Sequence, residues 1–473
     1  MDIRNPAQGA KLRPVIGLLF TSLKAYLPQF PSFAEVADRM SAKYVKRLEE
    51  FGDVLLERVY DPEGSAAAGD RFAAANIDIL LVLPFGYTTG MIAMPAIRAV
   101  DCPLRLLATH EDATYDYANA EDKDWLHHSG ICCISEYAGT LVRLGRRFRV
   151  LTGWFGDDGF WNEIRREAMG AAAARAFRSF NFAVIGNPYT NMTDMPADDH
   201  RLLKMTGRMF LRPEVEEIAE LYAEVTDEEV TAMLAQFRDF YIIDKTVTDE
   251  HMRESAKIAV VYDKMIRKYS IDAYGYYWWG VSELYTHLRS QSAIAGSRLA
   301  SMGYPGVTEG DVKTAMGMKL MDILGGGGMF VEFNSIDYAG NFLLISHDGP
   351  VNFNVSEGKP EIKHLNIHHG KTGQGIGIDF TLRQGPATIL NVTQFDTSCD
   401  SFKLIYTVGK VVPGDILHVG NPNARLEVEK PIPEFIDEWC QNGPVHHSSL
   451  GIGDLSREIE TFAEASGLVC VRV

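Results

Sequence analysis

Four short stretches of this chain carry side chains that could act together. The first two lie in Met329-Phe330-Val331-Glu332-Phe333-Asn334-Ser335-Ile336-Asp337 and Phe342-Leu343-Leu344-Ile345-Ser346-His347-Asp348-Gly349. Two β-rich runs around a glycine-containing turn predict a hairpin. With Ala339-Gly340 as a two-residue turn, Glu332 stands opposite His347, with Cβ atoms about 5 Å apart. A carboxylate beside an imidazole is then either a structural ion pair or two ligands of one metal. A three-residue loop with a bulge would shift the register by one and separate them.

The third stretch is Thr308-Glu309-Gly310-Asp311, before a predicted amphipathic helix with apolar positions 312, 315, 316, 320, 323 and 324. Thr308 and Asp311 have capping-box spacing, which puts Glu309 in the first helical turn, where the helix end favours its ionised form. The fourth is Gly443-Pro444-Val445-His446-His447-Ser448-Ser449. Adjacent loop histidines are usually bystanders, but the hairpin could supply the rest of a metal shell. Two glutamates and two histidines can hold one Mn²⁺-like ion and leave positions for substrate oxygens. Paired carboxylates beside a bound polyol imply proton transfer at carbon next to a carbonyl. That chemistry is aldose–ketose isomerisation.

These stretches need elements to position them. Pro14–Phe20, Val54–Val59, Ile77–Leu83, Leu104–Thr109 and Phe148–Gly153 read as strands between helical segments, including one over 32–52. Such alternation predicts a parallel sheet covered on both faces, with sites at the carboxyl ends of strands, near Phe20–Tyr26, Phe85–Tyr87 and Thr109–Glu111. A second α/β unit begins near Phe155, with a helix over 161–180 and a strand at Phe182–Gly186. Five aromatics in Ile271–Trp279 read as core. From Met329 short β-runs dominate to about Val428, predicting an antiparallel sandwich or barrel, and a last helix spans Asp454–Ala465. The expected domains are 1–154, 155–328 and 329–473, the first two Rossmann-like α/β and the third mainly antiparallel β.

Composition narrows the function classes. The 473 residues are 46% hydrophobic and 23% charged, ordinary for a globular protein with large cores. A net charge of −17 argues against a general nucleic-acid or anionic-membrane surface. Six cysteines at 102, 132, 133, 399, 440 and 470 show no CxxC spacing and read as buried thiols in a reducing cytoplasm. No signal peptide or membrane-length apolar run is visible, so the expected location is cytoplasmic. His127-His128 and His368-His369 lack acidic spacing that would define a site. Gly325–Gly328 follows a helix instead of opening one, and Gly373-Gln374-Gly375-Ile376-Gly377 lacks a dinucleotide-binding context. A nucleotide-dependent oxidoreductase is therefore a poor reading.

In the order and spacing of these parts the chain resembles the L-arabinose isomerase / L-fucose isomerase superfamily. Glu309-Gly310-Asp311 looks like the family's first metal-binding glutamate, Glu332 like its second acidic ligand, and His347 with His446-His447 like its histidines. Ser135-Glu136-Tyr137-Ala138-Gly139 looks like part of its N-terminal domain. The resemblance implies metal ligands Glu309, Glu332, His347 and His447, usually around Mn²⁺. It implies Glu309 and Glu332 as the acid/base pair of a cis-enediol mechanism, and a homotrimer or homohexamer in which a neighbouring subunit completes each sugar pocket. Tyr26, Cys132 and His446 are its candidate sugar contacts. Cys132 stands where arabinose isomerases carry a histidine, and Leu23, Lys24 and Ala25 depart from their pattern. The expected substrate is thus another pentose, a deoxyhexose or a modified hexose. The alternative is a sugar-binding or sensing protein without turnover, against which the paired carboxylates speak.

Overall fold

The computed structural model describes residue 1 and residues 12–278, 283–364, 375–394, 401–415, 417 and 420–473. His368-His369 and part of the 373–377 segment lie outside them. The chain forms two compact units: 12–175 with 457–467, and 176–456 with residue 1 and 468–473.

In the first unit, five parallel strands lie in the order Asp53–Val59, Val15–Thr21, Ile79–Pro84, Leu104–Ala108, Arg149–Thr152. Ile79–Pro84 is buried along its length, as a strand covered on both faces must be. Alternate side chains feed two cores: Leu81 and Leu83 pack with the Phe33–Leu48 helix, whereas Leu80 and Val82 pack with Phe72 and Ile92. The loops after Ile79–Pro84 and Leu104–Ala108 open on a cavity of about 320 Å³ that includes Phe85, His110, Glu111, His127 and His128.

The second unit begins with a three-stranded parallel sheet, Phe182–Gly186, Ala273–Tyr277 and Gly306–Val307. Tyr274, Tyr276 and Trp278 are buried in its core. Beyond residue 329 antiparallel pairing predominates. Strands Gly385–Gln394, His447–Ile452, Met329–Asp337, Phe342–Ser346, Asn423–Val428 and Phe402–Val412 pair in sequence, and the last pairs again with the first. That closes a six-stranded barrel whose core includes Val331, Leu343, Ile345, Ile389, Leu426 and Leu450. Parallel α/β sheets followed by an antiparallel β domain are the architecture expected from the sequence. The helix Ser456–Ser466 does not end the chain; the strand Val469–Arg472 follows and pairs in parallel with Phe402–Val412.

The helix Val312–Ile323 is buried on every side through Met321, where the sequence pattern predicts one polar face. It packs against the parallel sheet on one side and the barrel strands at 447–452 and 385–394 on the other. Its two lysines satisfy their ammonium groups on backbone oxygens, Lys313 on Met195 (2.8 Å) and Lys319 on Gly303 (2.7 Å). No described helix is long and apolar enough to cross a membrane. The reading of buried thiols needs correction too. Cys133 is buried, but Cys132, its neighbour on the same helix, points outward, and Cys440 is exposed.

Candidate active site

The hairpin forms with a different register. Its strands are joined by Tyr338–Asn341, and Glu332 pairs with Ser346 instead of His347. The offset comes from a bulge between Phe333 and Ser335, which leaves Asn334 as the extra residue. The Asn334 side chain donates to Glu332 Oε1 (2.8 Å) and accepts from Ser346 Oγ (2.5 Å). The bulge thus supplies a side chain that aims the carboxylate. On its other edge the strand sets Glu332 opposite His447. His347 lies just beyond its strand and reaches the same place from there.

Glu309 departs from expectation in its backbone. It lies in a 3₁₀ turn at φ 63°, followed by Gly310 at φ 77°, and the helix N-cap is Asp311. A non-glycine residue held in the left-handed region costs of order 1–3 kcal/mol and persists where surrounding structure imposes it. Here the imposing contacts are visible. The Tyr189 N–H donates to Glu309 O (3.0 Å), and a Cβ built on Gly275 would lie 2.7 Å from Gly310 C, so the central strand passes directly beneath the turn.

His447 is the centre of the cluster. Its Nε2 lies 3.2 Å from His347 Nε2 and 3.3 Å from Glu309 Oε2. Glu309 Oε2 is buried, and its approach to His447 is an ion-pair contact, with no hydrogen-bond partner for it among the described residues. Such an oxygen, facing two imidazole nitrogens, is a donor set lacking its acceptor. Separations of 3.2–3.3 Å also match atoms that each sit about 2.1 Å from a shared ion. Glu309, His347 and His447 could hold a metal, and Glu332, His446 and His447 form a second such group. The four sequence-derived metal candidates therefore converge, with His447 common to both groups and His446 drawn in beside them.

The surroundings fix both rings. His447 Nδ1 donates to Asp311 Oδ2 (3.2 Å), the carboxylate–imidazole arrangement that orients metal-binding histidines. Asp311 is fully buried and also accepts from Thr314 Oγ1 (2.6 Å). Burial alone would raise its carboxyl pKa, but Lys313 at 3.4 Å and His447 hold it well below the usual range. Burial lowers the His447 pKa, and Asp311 with Glu309 more than reverses this, pushing it up to about 9. His347 Nδ1 has the Gly349 N–H at 3.2 Å and Asp348 Oδ1 at 3.3 Å, partners for either tautomer. The Phe330 ring walls both imidazoles, with centroids 3.9 and 4.6 Å away. Asn391 Nδ2 clamps the loop by donating to Val445 O (2.8 Å) and His447 O (2.7 Å).

Asp311, Asn334 and Asn391 carry no motif of their own. Only the capping spacing singled out Asp311, and that signal names a helix start, not a partner for a histidine 136 residues away. Tyr26 and Cys132 belong to the other unit. Tyr26 ends a 3₁₀ turn after the first strand and packs on Phe33, and Cys132 is exposed on the Gly130–Arg143 helix.

This geometry gathers carboxylates and imidazoles into two groups that could hold a metal ion. Comparison with known proteins agrees. Models of the L-arabinose isomerase central domain and C-terminal domain match residues 208–327 and 327–469, together more than half the chain. An L-arabinose isomerase from Shewanella sp. (strain ANA-3) is 26% identical over 464 residues, covering 92% of this chain and 90% of the relative. That of Tolumonas auensis is 23% identical over 456 residues, covering 92% and 89%. L-arabinose isomerase 2 of Bacillus licheniformis is 23% identical, over 70% of each chain. The chain belongs to the L-arabinose isomerase family. It is an enzyme, an aldose–ketose isomerase of that type.

Proposed function

We propose that this isomerase needs a divalent metal, Mn²⁺ by the donor set, and acts on a free sugar other than L-arabinose through a cis-enediol. The observation that carries the reading is the buried Glu309 Oε2, without a hydrogen bond among the described residues and facing His447 Nε2 at 3.3 Å. Glu309, Glu332, His347 and His447 would hold the ion. When bound it would polarise the substrate carbonyl and offset charge developing on its oxygen. Glu309 and Glu332 would act as the acid/base pair, one moving the proton from the carbon beside the carbonyl to the carbonyl carbon and the other moving the hydroxyl proton between the two oxygens. Asn334 holds Glu332 in place for this, and the Tyr189–Glu309 backbone contact holds Glu309. A substrate other than L-arabinose is supported by Cys132, a thiol where the family's sugar-contacting histidine stands. We place Tyr26 and Cys132 among the sugar contacts contributed across a subunit boundary, with His446 contributed from the site itself. A homotrimer or homohexamer in the cytoplasm completes the proposal, supported by exposed Tyr87, Met91, Trp125 and Ile131 on the first unit. The division at 154 and 328 is proposed with it, supported at 328 by the antiparallel barrel pairing that starts at Met329.

The test is a panel of aldoses and ketoses with metal-stripped protein, with and without Mn²⁺, followed by NMR in D₂O. Metal-dependent interconversion with deuterium entering beside the carbonyl is expected. Tight metal binding without turnover of any sugar would favour a sensing role, and no metal binding would remove the site.

A further inference from the structure

A second carboxylate–imidazole pair stands beside Asp311 and His447. Asp194 lies in the loop after the Phe182–Gly186 strand. Its Oδ2 accepts both the backbone N–H and the ring Nδ1–H of His446, each at 2.8 Å. A neutral imidazole has one donor and one acceptor nitrogen, so this arrangement leaves a lone pair on Nε2. That nitrogen is 3.8 Å from Glu309 Oε2, beyond direct hydrogen bonding. Asp194, His446 and Glu332 all line a cavity of about 750 Å³.

Resting on the proposed reaction, we infer that Asp194 is a positioning residue for the sugar. It fixes the tautomer and aim of His446 so that Nε2 accepts a substrate hydroxyl beside Glu309 and Glu332. Exposure divides the two pairs. The Asp311 and His447 side chains are fully buried, whereas those of Asp194 and His446 are 30% and 39% exposed. The buried ring can meet only what is enclosed with it, and the half-exposed ring meets a solute entering the cavity. The scaffold holds the open pair as firmly as the closed one. Lys313 donates to Met195 O (2.8 Å) and Pro196 O (3.2 Å), immediately after Asp194, and stands 3.4 Å from Asp311 Oδ1. One buried ammonium therefore ties the Asp194 loop to the turn that carries Glu309. Asn391 fixes the chain on both sides of His446.

Asp194→Ala and Asp194→Asn distinguish this role from a structural one. For Asp194→Ala we expect kcat/KM to fall about 10–100-fold, with Mn²⁺ affinity and thermal midpoint unchanged. Asp194→Asn keeps an oxygen that accepts from Nδ1–H and should recover part of the loss. Undiminished kcat/KM in the alanine variant would overturn the inference. So would loss of Mn²⁺ affinity in both variants, because His446 would then be a metal ligand. Nitrogen-15 NMR of wild-type protein gives a direct reading independent of the variants: His446 should carry its proton on Nδ1, and an Nε2–H tautomer overturns the inference. If the wild-type protein turns over no sugar, the proposed reaction fails separately. Ribitol binding then decides this inference: weaker binding to Asp194→Ala than to wild type supports it, and equal binding overturns it.

Discussion

Each unit buries a cluster of charged groups, and the two clusters are finished differently. In the first, Arg105 is completely buried and donates to Glu167 Oε2 (2.6 and 2.9 Å), Glu464 Oε2 (2.7 Å) and Leu104 O (2.9 Å). Glu167 also accepts from Arg149 (3.0 Å) and from Thr461. Both oxygens of Glu167 are used. In the second, Glu309 Oε2 has no hydrogen bond among the described residues, two imidazole nitrogens confront each other, and the backbone at Glu309 is left-handed. A buried polar group without its partner costs roughly 1–3 kcal/mol. The first cluster fastens a helix from the far end of the chain to the parallel sheet. The second leaves a buried carboxylate oxygen unpaired among the described residues, which is the feature the proposed metal would satisfy. Buried charge is therefore not itself a mark of function here; what separates the two clusters is how completely their polar atoms are paired among the described residues.

The sharpest way to break this contrast is to neutralise the two carboxylates of the site. Glu309→Gln and Glu332→Gln should each lower turnover by roughly 10²–10⁴-fold while unfolding transitions stay near wild type. Substantial activity in either variant, measured by deuterium exchange into the sugar, would sink the acid/base assignment. The satisfied cluster should behave in the opposite manner. Arg105→Met leaves buried carboxylates without their main partner and should cost about 3–5 kcal/mol of stability, read from urea unfolding. A loss as small as that of Glu309→Gln would remove the distinction between the clusters.

Metal retention gives a smaller and more discriminating effect. His447→Ala should release Mn²⁺ more readily than His446→Ala, and Asp311→Asn should weaken binding about 10–100-fold. The reverse order of the two histidines, measured by titration of stripped protein, would move the ligand role to His446. The smallest effect lies in pH dependence. Burial raises the Glu167 pKa, but Arg105, Thr461 and Arg149 outweigh it and leave the group below its ordinary value. A depressed folded pKa means that its stabilising contribution is present above the unfolded carboxylate value and is lost as pH falls through the folded one. Stability of wild-type protein should therefore decline in acid more steeply than that of Glu167→Gln; parallel curves would contradict the assigned coupling.

Much of the architecture is readable from local pattern. Apolar runs such as Ile79–Pro84, bounded by helical segments, specify buried parallel strands, and the Phe182–Gly186 strand has the bounds expected from sequence. The shift to short β-runs at Met329 marks the barrel for the same reason, because side-chain periodicity is a local property. Residue type alone also singled out Glu309, Glu332, His347 and the His446-His447 pair as groups able to share an ion.

Register and satisfaction lie beyond that local pattern. Nothing in the hairpin sequence announces the bulge at Asn334, and that bulge decides whether Glu332 faces His347 or Ser346. The helix pattern after Asp311 predicts an exposed face because it cannot anticipate a sheet and a barrel closing on it from both sides. The left-handed turn at Glu309, the Asp311 and Asp194 carboxylates behind their histidines, and the unbonded Glu309 oxygen depend on contacts between distant segments. The sequence determined which groups were available and which elements would carry them. Only tertiary packing decided their separations, their hydrogen-bond partners and which atom remained without one among the described residues, because each is set by neighbours a hundred or more residues away.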